Sequence, residues 1–324
     1  MRKIIFFIIF VMGIVGMEND AELFARSIEF MESISVPVPN GAKNLEIWIP
    51  VPVNDPYQHT EIVTIESPYP YRLTEDKEFG NHLLYFQPES RQKEQSINIK
   101  VLFKIVRKEQ RALDLTSGIM ESGHAASPSL YMEARGLEII DEKITKISQE
   151  VTRGIESPME KARALYRYVL AHMKYDKSGT GWGRGDSIYA CDVGRGNCTD
   201  FHSLFIALAR ASRIPARFQM GIPLPDSSEG EPSGSYHCWA EFYIEGKGWI
   251  PVDISEAWKN PKNAEYFFGN LDANRILLST GREILLSPRQ EGAPLNYLSK
   301  PYVEMNGRPV NDFKLERRFK DTQV

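Results

Sequence analysis

A glycine-rich turn that leads through a cysteine into an apolar segment is the most constraining feature of this sequence. Gly194 and Gly196 suit a sharp turn, and Cys198 follows directly. The residues after it recur at the spacing of one helix face, namely Phe201, Leu204, Phe205 and Leu208. We therefore expect Cys198 in the first turn of a buried helix, where free N–H groups and the helix dipole favour a thiolate. An inert structural cysteine is the alternative interpretation.

Two aromatic and apolar segments further along predict a hairpin that carries a histidine and an aspartate. Residues 235–244 and 249–253 are typical of strands, and Gly246-Lys247-Gly248 between them is typical of a turn. Antiparallel pairing would bring His237 close to Asp253. A cysteine, a histidine and an aspartate are the parts of a thiol triad, in which the base takes the thiol proton and the acid orients the base. A surface histidine beside a solvated aspartate is the alternative.

Three blocks of this sequence resemble the transglutaminase-like superfamily, and most of all its bacterial exported members. They agree in order, spacing and flanking aromatic residues, and they are Gly196–Phe201, Tyr236–Glu241 and Gly248–Asp253. The resemblance implies a papain-like core with Cys198, His237 and Asp253 as the catalytic triad. It does not imply one reaction, because relatives include protein cross-linkers, peptidases, amidases and members without catalysis.

The residues and the resemblance together predict a cysteine peptidase, amidase or acyltransferase. Its reaction would be thiol-dependent hydrolysis or acyl transfer on a protein, peptide or cell-envelope amide, through an acyl-enzyme. Trp182, Asn197 and Trp239 are the candidates for the oxyanion site or the cleft, and plain packing is the alternative for Trp182. No cofactor is expected, and the cysteine and histidine spacing matches no familiar zinc site. A non-catalytic module that binds a peptide or the cell envelope is the rival function.

The N-terminus predicts export. Met1-Arg2-Lys3 is basic and residues 4–15 are apolar apart from Gly13, which is the pattern of a signal peptide. The apolar run is shorter than the roughly 20 residues of a membrane span. Since no small-x-small cleavage pattern follows, an uncleaved membrane anchor remains open. We expect a periplasmic or extracellular protein, and the net charge of −4 argues against a nucleic-acid partner.

The remaining cysteines and one further histidine have open roles. An odd count of 3 cysteines leaves at least one free thiol in an exported protein. Cys191 and Cys238 either form a disulfide or stay as two separate buried thiols. His202 lies one helical turn after Cys198, and we expect it to be structural or to support a triad residue from behind, because the resemblance implies a base on a separate strand.

The chain as a whole predicts an α+β protein. Residues 1–20 are the expected signal peptide or anchor, residues 21–115 an all-β sandwich-like domain, and residues 116–324 the transglutaminase-like domain. The sandwich is predicted from short alternating segments between turns, and Asn40-Gly41 predicts a hairpin between two of them. In the second domain, the nucleophile helix is expected to pack on an antiparallel sheet.

Overall fold

The computed structural model describes residues 24–39, 41–88, 95–112 and 127–323. The expected signal peptide or anchor, residues 1–20, lies outside the described residues. Among the helices of the described ranges, none has the length and apolar character needed to cross a membrane.

Eighteen strands are found in the described residues. In chain order they are β1 (Ala25–Pro37), β2 (Leu45–Pro50), β3 (Gln58–Glu66), β4 (Tyr71–Glu75), β5 (His82–Phe86), β6 (Ser96–Lys108), β7 (Gln110–Arg111), β8 (Lys174–Tyr175), β9 (Arg195–Gly196), β10 (Ala216–Pro223), β11 (Glu229–Gly230), β12 (His237–Ile244), β13 (Gly248–Val252), β14 (Asn270–Leu271), β15 (Arg275–Thr280), β16 (Tyr302–Met305), β17 (Arg308–Pro309) and β18 (Lys314–Thr322).

Five α-helices are found in the same ranges, and they are α1 (Glu142–Val151), α2 (Pro158–His172), α3 (Ser187–Val193), α4 (Cys198–Ala211) and α5 (Ile254–Lys259). Two 3₁₀ turns, Pro128–Tyr131 and Pro261–Asn263, complete the helical content. Helix α2 begins as its sequence indicates, because the Ser157 side chain accepts a hydrogen bond from the Glu160 N–H and Pro158 fills the first helical position.

Two five-stranded sheets pack face to face as a β-sandwich. One has the order β11-β18-β1-β6-β3 and the other β17-β16-β2-β5-β4. The long strand β6 alternates between buried and outward-facing residues, so one of its faces supplies the sandwich core. Phe30, Phe103, Ile47 and Phe86 meet in this core. The α+β class with an N-terminal β-sandwich is therefore confirmed.

The domain boundary expected from the sequence is wrong at the C-terminus. Strand β18 pairs antiparallel with β1 along Ser27↔Thr322 to Ser35↔Lys314, and β16 pairs with β2. The last strands of the chain thus complete the sandwich that the first strands begin. The hairpin predicted at Asn40-Gly41 is also absent, because β1 and β2 belong to opposite sheets; residue 40 itself lies outside the described residues.

The functional core is a four-stranded antiparallel sheet with α4 packed on one face. The sheet has the order β13-β12-β10-β15. Every residue of α4 from Cys198 to Arg210 is buried, which is typical of a helix in the centre of a core. Phe205 of α4 meets Phe242 of β12, with ring centroids 6.2 Å apart. This packing fixes the helix that begins at Cys198 against the strand that begins at His237.

Removal of a C-terminal core side chain tests the completed sandwich. Phe319 of β18 is buried in the sandwich core, so Phe319→Ala should lower the free energy of unfolding by about 3–5 kcal/mol. Lys320→Ala is the matched control, because the neighbouring Lys320 side chain is exposed and such changes usually stay within about 0.5 kcal/mol. Urea unfolding measures both. Equal stability of the two variants would contradict the place of β18 in the sandwich.

Candidate active site

The turn before α4 holds Cys198 at the first helical position. Asn197 is the N-cap, and its Oδ1 accepts the Thr199 N–H at 3.0 Å. In return, Asp200 Oδ2 accepts the Asn197 N–H at 2.9 Å, which completes a capping box. A Cβ at Gly196 would lie 2.2 Å from Asp200 Oδ2, so only glycine fits there. The local sequence thus places the Cys198 sulfur at the positive end of a buried helix.

The β12–β13 hairpin brings His237 and Asp253 together. Ala240 pairs with Val252. His237, which begins β12, and Asp253, which follows β13, therefore lie at the same end of the sheet. His237 Nε2 lies 2.7 Å from Asp253 Oδ2. This contact leaves Nδ1 as the ring nitrogen that can serve Cys198, whose side chain is one of the groups that raise the pKa of His237. The structure brings the three residues predicted as a triad into one contiguous cluster.

The charges in this cluster favour a thiolate beside an imidazolium. Hydrogen bonds from Cys238 and His237 hold the pKa of Cys198 well below its usual range, although burial opposes them. Burial alone would lower the pKa of His237, but Asp253 and Cys198 outweigh it and raise that pKa to about 10. The proton therefore lies on His237 at neutral pH, and the sulfur is ionised before a substrate arrives.

Asp253 is held by partners that no sequence motif indicated. Arg275 Nη1, on β15, donates to Asp253 Oδ2 at 2.7 Å. The other oxygen, Oδ1, accepts the Ser255 hydroxyl and the Glu256 N–H, each at 3.1 Å. Positive charge on His237 and Arg275 keeps the pKa of Asp253 well below its usual range, against the effect of burial. The carboxylate therefore stays charged inside the protein.

The three oxyanion or cleft candidates occupy different places. Trp182 is half-buried on the loop before α3. The residue after it, Gly183, lies against the Asn197 side-chain amide. Asn197 is engaged as the helix cap, and its Nδ2 donates to Tyr236 Oη at 2.8 Å. Trp239 is 1% exposed and packs in an apolar cluster behind the imidazole. Because Trp239 is buried and the Asn197 side chain is engaged, Trp182 is the remaining candidate of the three.

The stretch that contains this cluster, residues 145–254, matches the family model of the transglutaminase-like superfamily. The chain carries a transglutaminase-like domain. The match begins in α1 and ends just after Asp253, so it includes α4 and the β12–β13 hairpin.

Three proteins are similar to this chain over most of its length. An uncharacterized protein of Haemophilus influenzae is 29% identical over 340 residues, covering 93% of this chain and 90% of its own length. A crystal structure of a proposed cysteine protease from Cytophaga hutchinsonii has a TM-score of 0.58 at 16% identity and covers 93% of both chains. This likeness shows a common fold. The periplasmic domain of TgpA from Pseudomonas aeruginosa has a TM-score of 0.37 at 16% identity, covering 76% of this chain and 92% of its own.

Two buried side chains fix the glycine-rich loop of the transglutaminase-like domain beside Cys198. Arg282, which is 1% exposed, donates through Nη2 to the Arg184 carbonyl at 2.9 Å and through Nη1 to the Gly185 carbonyl at 3.0 Å. Asp200 accepts the Gly183 and Gly185 N–H groups at 2.7 and 3.0 Å. The loop is therefore pinned to α4. Arg282 lies 84 positions after Cys198 (282 − 198), and no local pattern points to it.

The cysteines and His202 also have defined places. Cys191, Cys198 and Cys238 are all free and buried. Cys191 and Cys238 are therefore two separate buried thiols and do not form a disulfide. His202 is fully buried; its Nε2 accepts the Ile254 N–H at 3.0 Å and lies 3.7 Å from Asp253 Oδ1. Within the described ranges, no group of three or more His, Cys, Asp or Glu residues could hold a metal ion.

A pair of glycine variants tests the close contact in the turn before Cys198. Gly196→Ala would push Asp200 away and disturb the first turn of α4, so alkylation of Cys198 at a pH below its apparent pKa should slow at least about tenfold, the effect of one pKa unit on the thiolate fraction there. Gly230→Ala is the control, because Gly230 has a similar φ of 142° and no atom within 4 Å of an added Cβ. Equal alkylation rates in the two variants would show that the turn tolerates the displacement.

Alkylation across pH tests the thiolate–imidazolium pair. Of the three cysteines, Cys198 should react fastest with iodoacetamide, and its apparent pKa should lie well below the free-thiol value of about 8.5. The reactive ion pair should persist as the pH rises, until His237 loses its proton near pH 10. Cys191 is the internal control, because burial raises the pKa of its thiol. Peptide mass analysis follows each cysteine. Labelling of Cys198 only after denaturation would contradict an assembled pair.

Proposed function

We propose that the transglutaminase-like domain is a thiol-dependent amide hydrolase with Cys198 as nucleophile, His237 as base and acid, and Asp253 as the group that orients the imidazole. The observation that carries the proposal is the 2.7 Å contact between His237 Nε2 and Asp253 Oδ2, which turns the other ring nitrogen towards Cys198. The description of a structure of the same fold as a proposed cysteine protease supports it.

The first half of the proposed reaction breaks the amide bond. The Cys198 thiolate attacks the carbonyl carbon, and a C–S bond forms as the carbonyl electrons move to oxygen. The tetrahedral intermediate then collapses, and His237 gives its proton to the departing amine nitrogen as the C–N bond breaks. The products of this half are an acyl-enzyme on Cys198, a free amine and a neutral His237.

The second half restores the enzyme. Neutral His237 takes a proton from water while the water oxygen attacks the thioester carbon, and the C–S bond then breaks to release a carboxylic acid and the Cys198 thiolate. An amine in place of water would give acyl transfer. Hydrolysis is the simpler outcome, because water needs no second binding site.

Two groups are proposed to stabilise the oxyanion. The Cys198 N–H is one of the first-turn amides that have no helical partner, so it is the first proposed donor to the developing oxyanion. The Trp182 indole N–H is the second donor. Asn197 is better understood as the cap that sets the Cys198 backbone, since its side chain is engaged with Thr199 and Tyr236.

The proposed substrate is a peptide, isopeptide or other amide of a protein or the cell envelope. We further propose that the protein works in the periplasm or outside the cell, on the basis of the basic start and apolar run at residues 1–15. A membrane tether through an uncleaved N-terminus is compatible with this placement.

Activity measurements with triad variants test the proposal. On a panel of internally quenched peptides and N-acyl-lysine isopeptides, Cys198→Ala should abolish turnover and Asp253→Asn should lower it by on the order of 10³–10⁴-fold. Cys191→Ala is the control and should retain activity, because Cys191 lies on α3 away from the triad. Circular dichroism verifies that each variant is folded.

A covalent intermediate separates catalysis from simple binding. Intact mass measurements during turnover should show an acyl adduct on Cys198, and added amines should partition it if transfer occurs. Binding of a peptide or cell-envelope fragment with neither turnover nor an adduct would favour the non-catalytic module instead.

A further inference from the structure

An aromatic wall that carries two lysines borders the proposed triad, and the proposed mechanism leaves these lysines unused. The wall consists of Tyr175 of β8, Trp182 of the glycine-rich loop and Trp258 of α5. The ring centroids of Tyr175 and Trp258 lie 6.4 Å apart. Lys177 and Lys259 place their ammonium groups over rings of this wall. All five residues are half-buried or exposed, so a ligand can reach them.

Backbone pairing places the wall beside the proposed nucleophile. Tyr175 of β8 pairs with Gly196 of β9, two residues before Cys198. The Tyr175 ring centroid lies 6.2 Å from that of Phe201 on α4. The third ring of the wall is on α5, which begins directly after Asp253. The wall therefore borders both the turn before Cys198 and the helix that follows the proposed orienting aspartate.

Of the two lysines, only Lys259 has its charge matched by a carboxylate of the described residues. Its Nζ lies 2.7 Å from Glu256 Oε1 and 4.3 Å from the Tyr175 ring centroid. Lys177 Nζ lies 5.7 Å from the ring centroid of Tyr175 and 5.9 Å from that of Trp182, and it has no ion pair or hydrogen bond with a described residue. The ring faces attract this ammonium but leave its three N–H donors for a ligand.

The acidic residue beside Lys177 is committed to other groups. Asp176 accepts the Ser178 N–H at 2.8 Å and lies 3.7 Å from Arg195 Nη1. Lys177 is therefore an accessible positive charge without a carboxylate partner at the edge of the candidate site. We propose that Lys177 is a specificity-determining residue that binds a carboxylate of the substrate, close to the amide that Cys198 attacks. This inference rests on the proposed function of Cys198 as the nucleophile.

A carboxylate suits this place better than a neutral or cationic group. An ammonium forms charge-assisted hydrogen bonds with carboxylate oxygens, and the neighbouring rings cover the apolar part of an acidic side chain. A basic side chain at the same place would meet a like charge. The substrate class is therefore a peptide or isopeptide with a carboxylate near the scissile amide, either on an acidic side chain or at the end of the chain.

Two alkylating reagents that differ in charge test the role of Lys177 without amide turnover. Iodoacetate carries a carboxylate and iodoacetamide does not, so the ratio of their rates at Cys198 cancels any change in the thiolate fraction. Lys177→Met keeps the length of the side chain but not its charge, and this ratio should fall about two- to fivefold. Lys177→Arg should retain it. Lys174→Met is the matched control and should leave the ratio unchanged, because Lys174 is exposed on the opposite face of β8.

Peptide binding to the Cys198→Ala protein identifies which carboxylate is recognised. Isothermal titration calorimetry compares peptides that differ only by glutamate or glutamine beside the amide, and peptides that differ only by a free or an amidated C-terminus. The recognised carboxylate should bind at least about twofold more tightly than its neutral counterpart. Lys177→Met in the same background should remove this preference, and Lys177→Arg should preserve it.

The outcomes separate a local carboxylate site from a general effect of charge. An unchanged alkylation ratio in Lys177→Met would overturn the proposal, and so would equal falls in Lys177→Met and Lys174→Met. A preference for carboxylates that depends on Lys177, in a protein without amide turnover, would refute the proposed function and leave the anionic site standing. Turnover that depends on Cys198 but not on Lys177 would do the reverse.

Discussion

The candidate site depends on one buried charge, the carboxylate of Asp253. A carboxylate removed from water costs several kcal/mol unless it is paired and hydrogen-bonded. Here the imidazole of His237 and the guanidinium of Arg275 each approach to 2.7 Å, and the Ser255 hydroxyl and the Glu256 amide bind the second oxygen. The same carboxylate caps α5. One charge thus orients the proposed base, begins a helix and ties the end of β13 to β15.

A second buried carboxylate performs the corresponding task for the proposed nucleophile, Cys198. Asp200 accepts the amides of Gly183, Gly185 and Asn197, so it joins the loop, the turn and the first turn of α4. Helix N-termini supply free amides and positive potential, and both carboxylates lie at such ends. Cys198 is at the start of α4, and the start of α5 is joined to α4 by the hydrogen bond from the Ile254 amide to His202.

The sequence predicts what depends on local spacing and misses what depends on distant contacts. The helix after Cys198 follows from its apolar periodicity, and the β12–β13 hairpin from its turn and aromatic strands. Arg275 and Arg282 reach the site from outside these motifs. From the sequence alone, an arginine that belongs to no motif cannot be distinguished from a solvent-exposed one. The prediction of a hairpin at Asn40-Gly41 was wrong because the alternation of apolar and polar residues indicates which side chains are buried but not which sheet a strand joins. The β18–β1 pairing joins opposite ends of the chain, where no local pattern applies.

The sandwich is more than a spacer for the transglutaminase-like domain, because it fixes the register of the strand that supplies Arg275. Ile276 and Leu278 of β15 are buried in the sandwich core, whereas Leu277 lies with Trp239 on the opposite face. Since side chains alternate along a strand, a shift of one residue would exchange these faces and turn Arg275 away from Asp253. The packing of β15 on the sandwich core thus sets the position of Arg275. Arg275 in turn holds Asp253, which orients the imidazole of His237 beside Cys198.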